Sequence, residues 1–214
     1  MKDFLNGIRK PVYISLLNKF LYSTLLFVTG IILGVISKVL DETSTSVLPY
    51  ILGVMDLSNF LSRIGVWIFL AVLISVYSKS PIRSSLNVLL FFIGMVGSYY
   101  LYTVMIAGFF PKSYMMIWII MTAISPFLAF VCWYAKGTGL IPILISSVII
   151  MVISRQAFIV GFWYFDIRNI LEFSLWIATI FVLFNSLQQI IKVLSIGIIL
   201  FLLTSQIYSF WGML

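Results

Sequence analysis

The chain has 214 residues, of which 63% are apolar and only 9% charged, against roughly a quarter charged in an ordinary soluble domain. No soluble core of this length hides that much apolar surface, so composition alone excludes a soluble globular domain. The net charge of +7 would suggest nucleic acid in a soluble protein; beside so many apolar runs it points instead to basic cytoplasmic loops next to anionic lipid. The expected partner is therefore the bilayer, and no nucleic acid.

A helix needs about 20 mainly apolar residues to cross a bilayer. The first apolar run is followed by several more, so it reads as a retained span and not as a cleaved signal peptide. Charges and turn signals predict an all-α, polytopic transmembrane helical bundle, residues 1 to 214 forming a single integral membrane domain. Its seven spans are expected over about 16 to 38, 58 to 78, 84 to 109, 113 to 135, 139 to 162, 170 to 190 and 193 to 213. The second is the least regular: its charge-free part, 64 to 78, covers only about 22 Å, so Arg63 is expected to snorkel toward the headgroups. Between the first two spans, "DETSTSVLPYILGVMDLSN" (41 to 59) reads as a loop carrying a short interfacial helix. It is either a connector resting on the headgroups or a cover over an outward-facing cavity.

Orientation follows from the Lys and Arg residues. With the N-terminus cytoplasmic, that side receives Lys2, Arg9, Lys10, Lys19, Lys79, Arg83, Lys136 and Lys192. The other side receives Lys38, Arg63, Lys112, Arg155 and Arg168, together with Asp41, Glu42, Asp56, Asp166 and Glu172. Eight cations against five favour a cytoplasmic N-terminus and, with seven spans, a C-terminus outside.

The chain contains no histidine and one cysteine, Cys132. A His-based zinc site, a serine triad and a thiolate cluster within one chain are thereby excluded. There is no GxGxxG, no Walker loop and no GxSxG, and all six acids fall at predicted helix ends or in loops. No catalytic residue, cofactor or metal ligand is assigned. A Ser-Lys or Arg-phosphate mechanism stays open, which leaves an intramembrane enzyme as a third reading behind two non-enzymatic ones.

Three features carry those two. In "TGIILG", Gly30 and Gly34 lie four apart on one helix face, a pattern that lets two helices approach closely; it serves either docking to a partner helix or packing within the bundle. In "FFIGMVGSYY", Tyr99 and Tyr100 follow Gly94, Gly97 and Ser98, and line a pocket in the outer half or join an aromatic belt. In "ISRQAFIVGFWYFDIR", Arg155 and Gln156 lie roughly 10 Å below the expected outer end of the fifth span. Arginine in the bilayer is costly and usually faces the bundle interior, pairs or snorkels. Two readings stand. Either Arg155 binds an anionic substrate group, with Gln156, Tyr99 and Tyr100 as further contacts and Asp166 and Glu172 as its ion-pair partners, or the span ends near Ser154 and "FIVGFWYF" is an interfacial anchor.

At "GVWIFLAVLISVYSKSPIRSSLNVLLFFIGMVGSYY" (65 to 100) and "ISPFLAFVCWYAKGTG" (124 to 139) the chain resembles a family of small bacterial multi-pass membrane proteins without an assigned activity. The residues concerned are Trp67, the "YSKSP" turn, Gly94, the Tyr99-Tyr100 pair, Pro126 and "WYAKG", within about 60 to 160. The resemblance implies a protein of the bacterial plasma membrane and transfers no activity. At the level of architecture the chain also resembles the substrate-binding subunit of energy-coupling-factor transporters, through Gly30, Gly34 and the 41 to 59 loop, although seven spans are not six. The expected roles are accordingly a small-solute binding or transport component, or an accessory protein that acts through helix contacts with another membrane protein or with transporter subunits.

Overall fold

The computed structural model describes residues 2–43, 49–108, 112–161 and 163–205. It is an all-α helical bundle. Among the described residues, five helices are long and apolar enough to cross a membrane: α2 (Leu16–Glu42), α6 (Pro81–Tyr102), α7 (Lys112–Trp133), α8 (Leu140–Ala157) and α10 (Leu187–Ser205). Two apolar helices of 14 residues, α5 (Ile64–Tyr77) and α9 (Ile170–Leu183), complete the bundle. Short helices α1 (Lys2–Ile8), α3 (Tyr50–Val54) and α4 (Leu57–Ser62) lie outside these. Strands β1 (Phe158–Val160) and β2 (Phe165–Ile167) form an antiparallel hairpin between α8 and α9.

Turn chemistry sets several boundaries. Ser15 and Ser80 cap α2 and α6 by accepting from the Asn18 and Arg83 N–H groups, and Pro81 stands in the first turn of α6, where its missing donor costs nothing. Pro126 lies inside α7 and cannot donate to the Thr122 carbonyl. Ser125 does so in its place at 2.8 Å, and Ser85 of α6 donates to the Pro126 carbonyl at 2.7 Å. The carbonyl freed by a proline inside a helix is thus re-satisfied by the Ser125 hydroxyl.

Two packed clusters share α5. Its Val72 and Val76 join Ile150, Ile153, Leu183 and Val193 on one side, and its Val66 and Trp67 join Phe91, Met95 and Tyr100 on the other. A helix enclosed on both sides needs no polar face, which explains an α5 sequence apolar all round. On the outside of the bundle, side chains such as Leu17, Ile32, Phe127, Leu144, Phe181 and Leu203 are exposed, as lipid-facing residues are.

Helix α2 packs on α6 through three glycines. A Cβ at Gly30 would lie 2.2 Å from the Phe91 carbonyl oxygen, one at Gly34 2.3 Å from that of Met95, and one at Gly94 2.4 Å from that of Phe27. Ser98 donates across this contact to the Ile31 carbonyl at 3.0 Å. The Gly30-Gly34 face, for which the spacing left docking to a partner helix and packing within the bundle both open, is covered by the chain's own α6, whose backbone approaches too closely to admit a third helix between them.

Three span limits also differ from expectation. The 58 to 78 segment is broken at Arg63, whose extended backbone separates α4 from α5. The 139 to 162 segment ends as helix at Ala157, because Phe158–Val160 pairs with Phe165–Ile167 and the Phe158 ring stacks on Phe165 at 5.2 Å. The sixth helix stops at Leu183 and the next begins at Leu187. Asn185 turns the chain there by donating to the Lys136 and Gly137 carbonyls, so Lys192 lies inside α10 and not between helices. Residues 44 to 48 of the expected outer loop and 206 to 213 of the expected last span lie outside the described residues.

The two ends of the bundle differ in charge. At one, Arg9 donates to the carbonyls of Val76 and Trp133, the Val12 N–H to Lys79, the Thr138 N–H to Ile8, and Lys136 to Phe184. Burial holds the Arg9 pKa below the ordinary guanidinium value. Lys10, Lys19, Lys79, Arg83 and Lys192 belong to the same end. The other end holds Asp41, Glu42, Asp56, Asp166 and Glu172 along with five cations.

Candidate functional site

The charged chamber of the bundle lies at its basic end, between α2, α5 and the start of α6. It has a volume of about 450 Å³, and its walls include Tyr22, Leu25, Leu73, Tyr77, Lys79 and Arg83. Asn87 lines it as well. Ser23 of α2 donates to the Asn87 Oδ1 at 2.8 Å, and the Asn87 Nδ2 donates to the Ser78 Oγ at 3.2 Å. Ser78 in turn donates to the Ile74 carbonyl at 2.7 Å. Such a buried chain stands only because each member finds a partner.

Arg83 is anchored to this chain by one nitrogen. Its Nη2 donates to the Lys19 carbonyl at 2.6 Å, to the Ser23 Oγ, and to the Asn87 Oδ1 at 3.4 Å. A guanidinium carries five N–H donors, and the Nε and Nη1 donors make no hydrogen bond among the described residues. Lys79 is exposed at the mouth, and among the described residues no Asp or Glu lines the chamber. Uncommitted donors held in a fixed plane, with a second cation beside them and no carboxylate to neutralise them, are suited to an anion.

The residues singled out from the sequence are not brought together. Tyr99 donates to the Asp41 Oδ2 at 2.8 Å, with the Lys38 ammonium 5.2 Å from its ring. Tyr99 and Tyr100 line an aromatic slot with Trp67, Tyr114 and Trp118, whose volume of about 20 Å³ suits one water and no solute. Arg155 lies in the last turn of α8 and donates to the Thr204 carbonyl of α10. Gln156 packs on α5, where a Cβ at Gly65 would lie 3.2 Å from its side chain.

The expected ion-pair partners of Arg155 are engaged differently. Glu172 is 2% exposed and accepts from Arg63 at 2.6 Å, and Asp166 accepts from the Ile167 N–H at 2.8 Å. Arg168 is close enough to feel this pair. Burial first, and then Arg63, lowers its pKa from the ordinary guanidinium value, and Glu172 opposes the shift.

A third cavity, of about 270 Å³, is an apolar groove between α5, α6, α7 and α8 that includes Phe92, Met121, Cys132 and Val148. Its hydroxyls are satisfied locally, Ser75 on Ala71, Thr122 on Trp118 and Ser125 on Thr122. Among the described residues no group of three or more His, Cys, Asp or Glu side chains could hold a metal ion.

In the sequence Arg83 stands out only as a topology charge, yet Arg83 and Asn87 are four apart on one face of α6. That spacing was a usable signal for the chamber. The α2 half of it, Ser23 and the Lys19 carbonyl, had none. No protein-family model matches the chain, and neither does any curated protein or solved structure.

Proposed function

We propose that the chain is a seven-span protein of a bacterial plasma membrane, its basic end in the cytoplasm, that serves as a non-enzymatic binding or transport component for a small anionic solute. The chamber between α2, α5 and α6 is the binding site. One observation carries this reading: every described charged side chain lining the chamber is a cation, and Arg83 keeps donors that no described residue takes up. The orientation is supported by the end-to-end charge difference, since cytoplasmic loops are the ones enriched in Lys and Arg. The two 14-residue helices run between the same two ends as the five long ones, which supports seven spans.

Binding is tested by the melting temperature of the purified chain in a neutral detergent, titrated with inorganic phosphate, a dicarboxylate and an alkyl phosphate, with an alkyl ammonium as control. An anion is expected to raise the melting temperature of the wild type and to do so less in Lys79→Gln, whose side chain is exposed. Equal responses of the two proteins to all four compounds would remove the chamber as the site. Orientation is tested with single cysteines at positions 79 and 56 in a Cys132→Ser background. An impermeant thiol reagent added to intact cells should label position 56 and spare position 79, and the reverse pattern inverts the topology.

A further inference from the structure

We infer that the occupant of the chamber is a phospholipid with an anionic headgroup, its phosphate on Arg83 and Lys79 and an acyl chain lying between α2 and α5. The inference rests on the reading of the chamber as the ligand site.

The lining is sorted by depth on both helices. On α2, Tyr22 stands at the mouth, and Leu25 and Leu26 follow about one turn further in. At the end of α5, Tyr77 and, just past it, Lys79 are exposed at the mouth, with Leu73 and Ile74 about one turn further in. A tyrosine with an apolar body and a polar tip is the residue expected at headgroup level. The site therefore presents an interface layer and a hydrocarbon layer in the order a phospholipid does.

The chamber is also open on its flank. Helices α2 and α5 both pack on α6, α2 through Gly30 and Gly34 and α5 through Trp67 against Phe91. Leu25 is 62% exposed and Tyr77 59%, which places the chamber wall on the lipid-facing surface. A wholly polar solute there would turn polar atoms toward hydrocarbon, at a cost of several kcal/mol for each unpaired group. An amphiphile leaves none unpaired.

The headgroup end is preset. Three acceptors hold the Arg83 Nη2, so the planar group is fixed in place with its remaining donors uncommitted among the described residues, and a guanidinium edge matches two phosphate oxygens. The start of α6 at Ser80 and Pro81 adds the positive end of a 22-residue helix beside them. Basic recesses between spanning helices on the cytoplasmic side are suited to lipid phosphates for this reason.

Native mass spectrometry of the full chain in a neutral detergent tests the inference, with dioleoyl phosphatidylglycerol, dioleoyl phosphatidylcholine and dioleoylglycerol as probes. Phosphatidylglycerol should be retained above the other two. Its affinity should fall about fivefold in Lys79→Gln, and it should also fall in Leu25→Trp, which fills the hydrocarbon part from an exposed position. Excess inorganic phosphate should leave it bound. Equal retention of all three lipids, unaffected by either substitution, overturns the inference. If inorganic phosphate displaces phosphatidylglycerol and raises the melting temperature of the wild type above that of Lys79→Gln, the lipid assignment fails while the anion chamber stands. If neither phosphate nor phosphatidylglycerol distinguishes wild type from Lys79→Gln, both fail together.

Discussion

Arg63 and Glu172 meet at 2.6 Å across a separation of 109 residues, and the Glu172 side chain is almost wholly buried while that of Arg63 is 30% exposed. The pair ties the start of α5 to the first turn of α9. One carboxylate oxygen, Oε2, is buried without a hydrogen-bond partner among the described residues, so Glu172 depends on Arg63 more than a fully bonded carboxylate would.

Removing Arg63 alone should consequently cost more than removing both partners. We expect Arg63→Ala to destabilise the fold by about 3 kcal/mol, the lower end for a broken buried pair because Arg63 is partly exposed. Arg63→Met combined with Glu172→Leu should recover most of that loss. Equilibrium unfolding in mixed detergent measures both, and an additive double variant would show that the two side chains are not coupled.

The glycine contact between α2 and α6 makes opposite predictions for two glycines of α6. Gly94→Ala places a methyl group against the Phe27 carbonyl, a fixed backbone atom, and should separate the helices and lower the melting temperature by several degrees. Gly97 has open space where its Cβ would be. Gly97→Ala should stabilise by about 0.5 kcal/mol through helix propensity. Equal destabilisation by the two changes would mean that α2 does not sit on α6 as described.

At the proline of α7, the Ser125 hydroxyl substitutes for the donor that Pro126 lacks. Ser125→Ala should cost about 1 kcal/mol in the wild type. In a Pro126→Ala background, where residue 126 can itself donate to Thr122, the same change should cost close to nothing. A cost that is the same in both backgrounds would assign Ser125 a role other than satisfying that carbonyl.

Arg9 fastens the N-terminal segment to the carbonyl ends of α5 and α7, with its guanidinium 4.2 Å from the Trp133 ring centre. Arg9→Ala should free residues 2 to 12 while leaving the bundle folded. Limited proteolysis would then cut ahead of residue 16 at least several-fold faster than in the wild type, with an unchanged helical signal. An unchanged cutting rate would mean that the backbone bonds of Ile8 and Val12 suffice to hold the strap.

The helices were legible because lipid imposes a coarse rule on composition, and the boundaries were not because the rule is coarse. Asn185 and Ser186 break the chain without a charge, so the uncharged run 173 to 191 hid the turn. Phe158–Val160 is apolar whether it continues α8 or turns into a strand, and three residues carry too little periodicity to decide. Spacing showed Gly30, Gly34 and Gly94 as small faces, but nothing local tells a helix which neighbour will cover it. The depth of Arg155 in the expected span depends on the helix running on to 162; α8 ends at Ala157, with Arg155 in its last turn. The chamber joins Arg83 to α2 atoms 64 residues away, a pairing to which local sequence patterns are blind.

Helix α9 has 14 residues, about 21 Å of rise, and Phe181 near its end is 73% exposed. On the seven-span reading, that flank meets a hydrocarbon layer about 30 Å thick. The neighbouring lipids must compress or be replaced by shorter ones, a hydrophobic mismatch confined to one side of the molecule. The protein would then sit in a lopsided dimple of its own making, with preferred neighbours chosen by chain length on the α9 side.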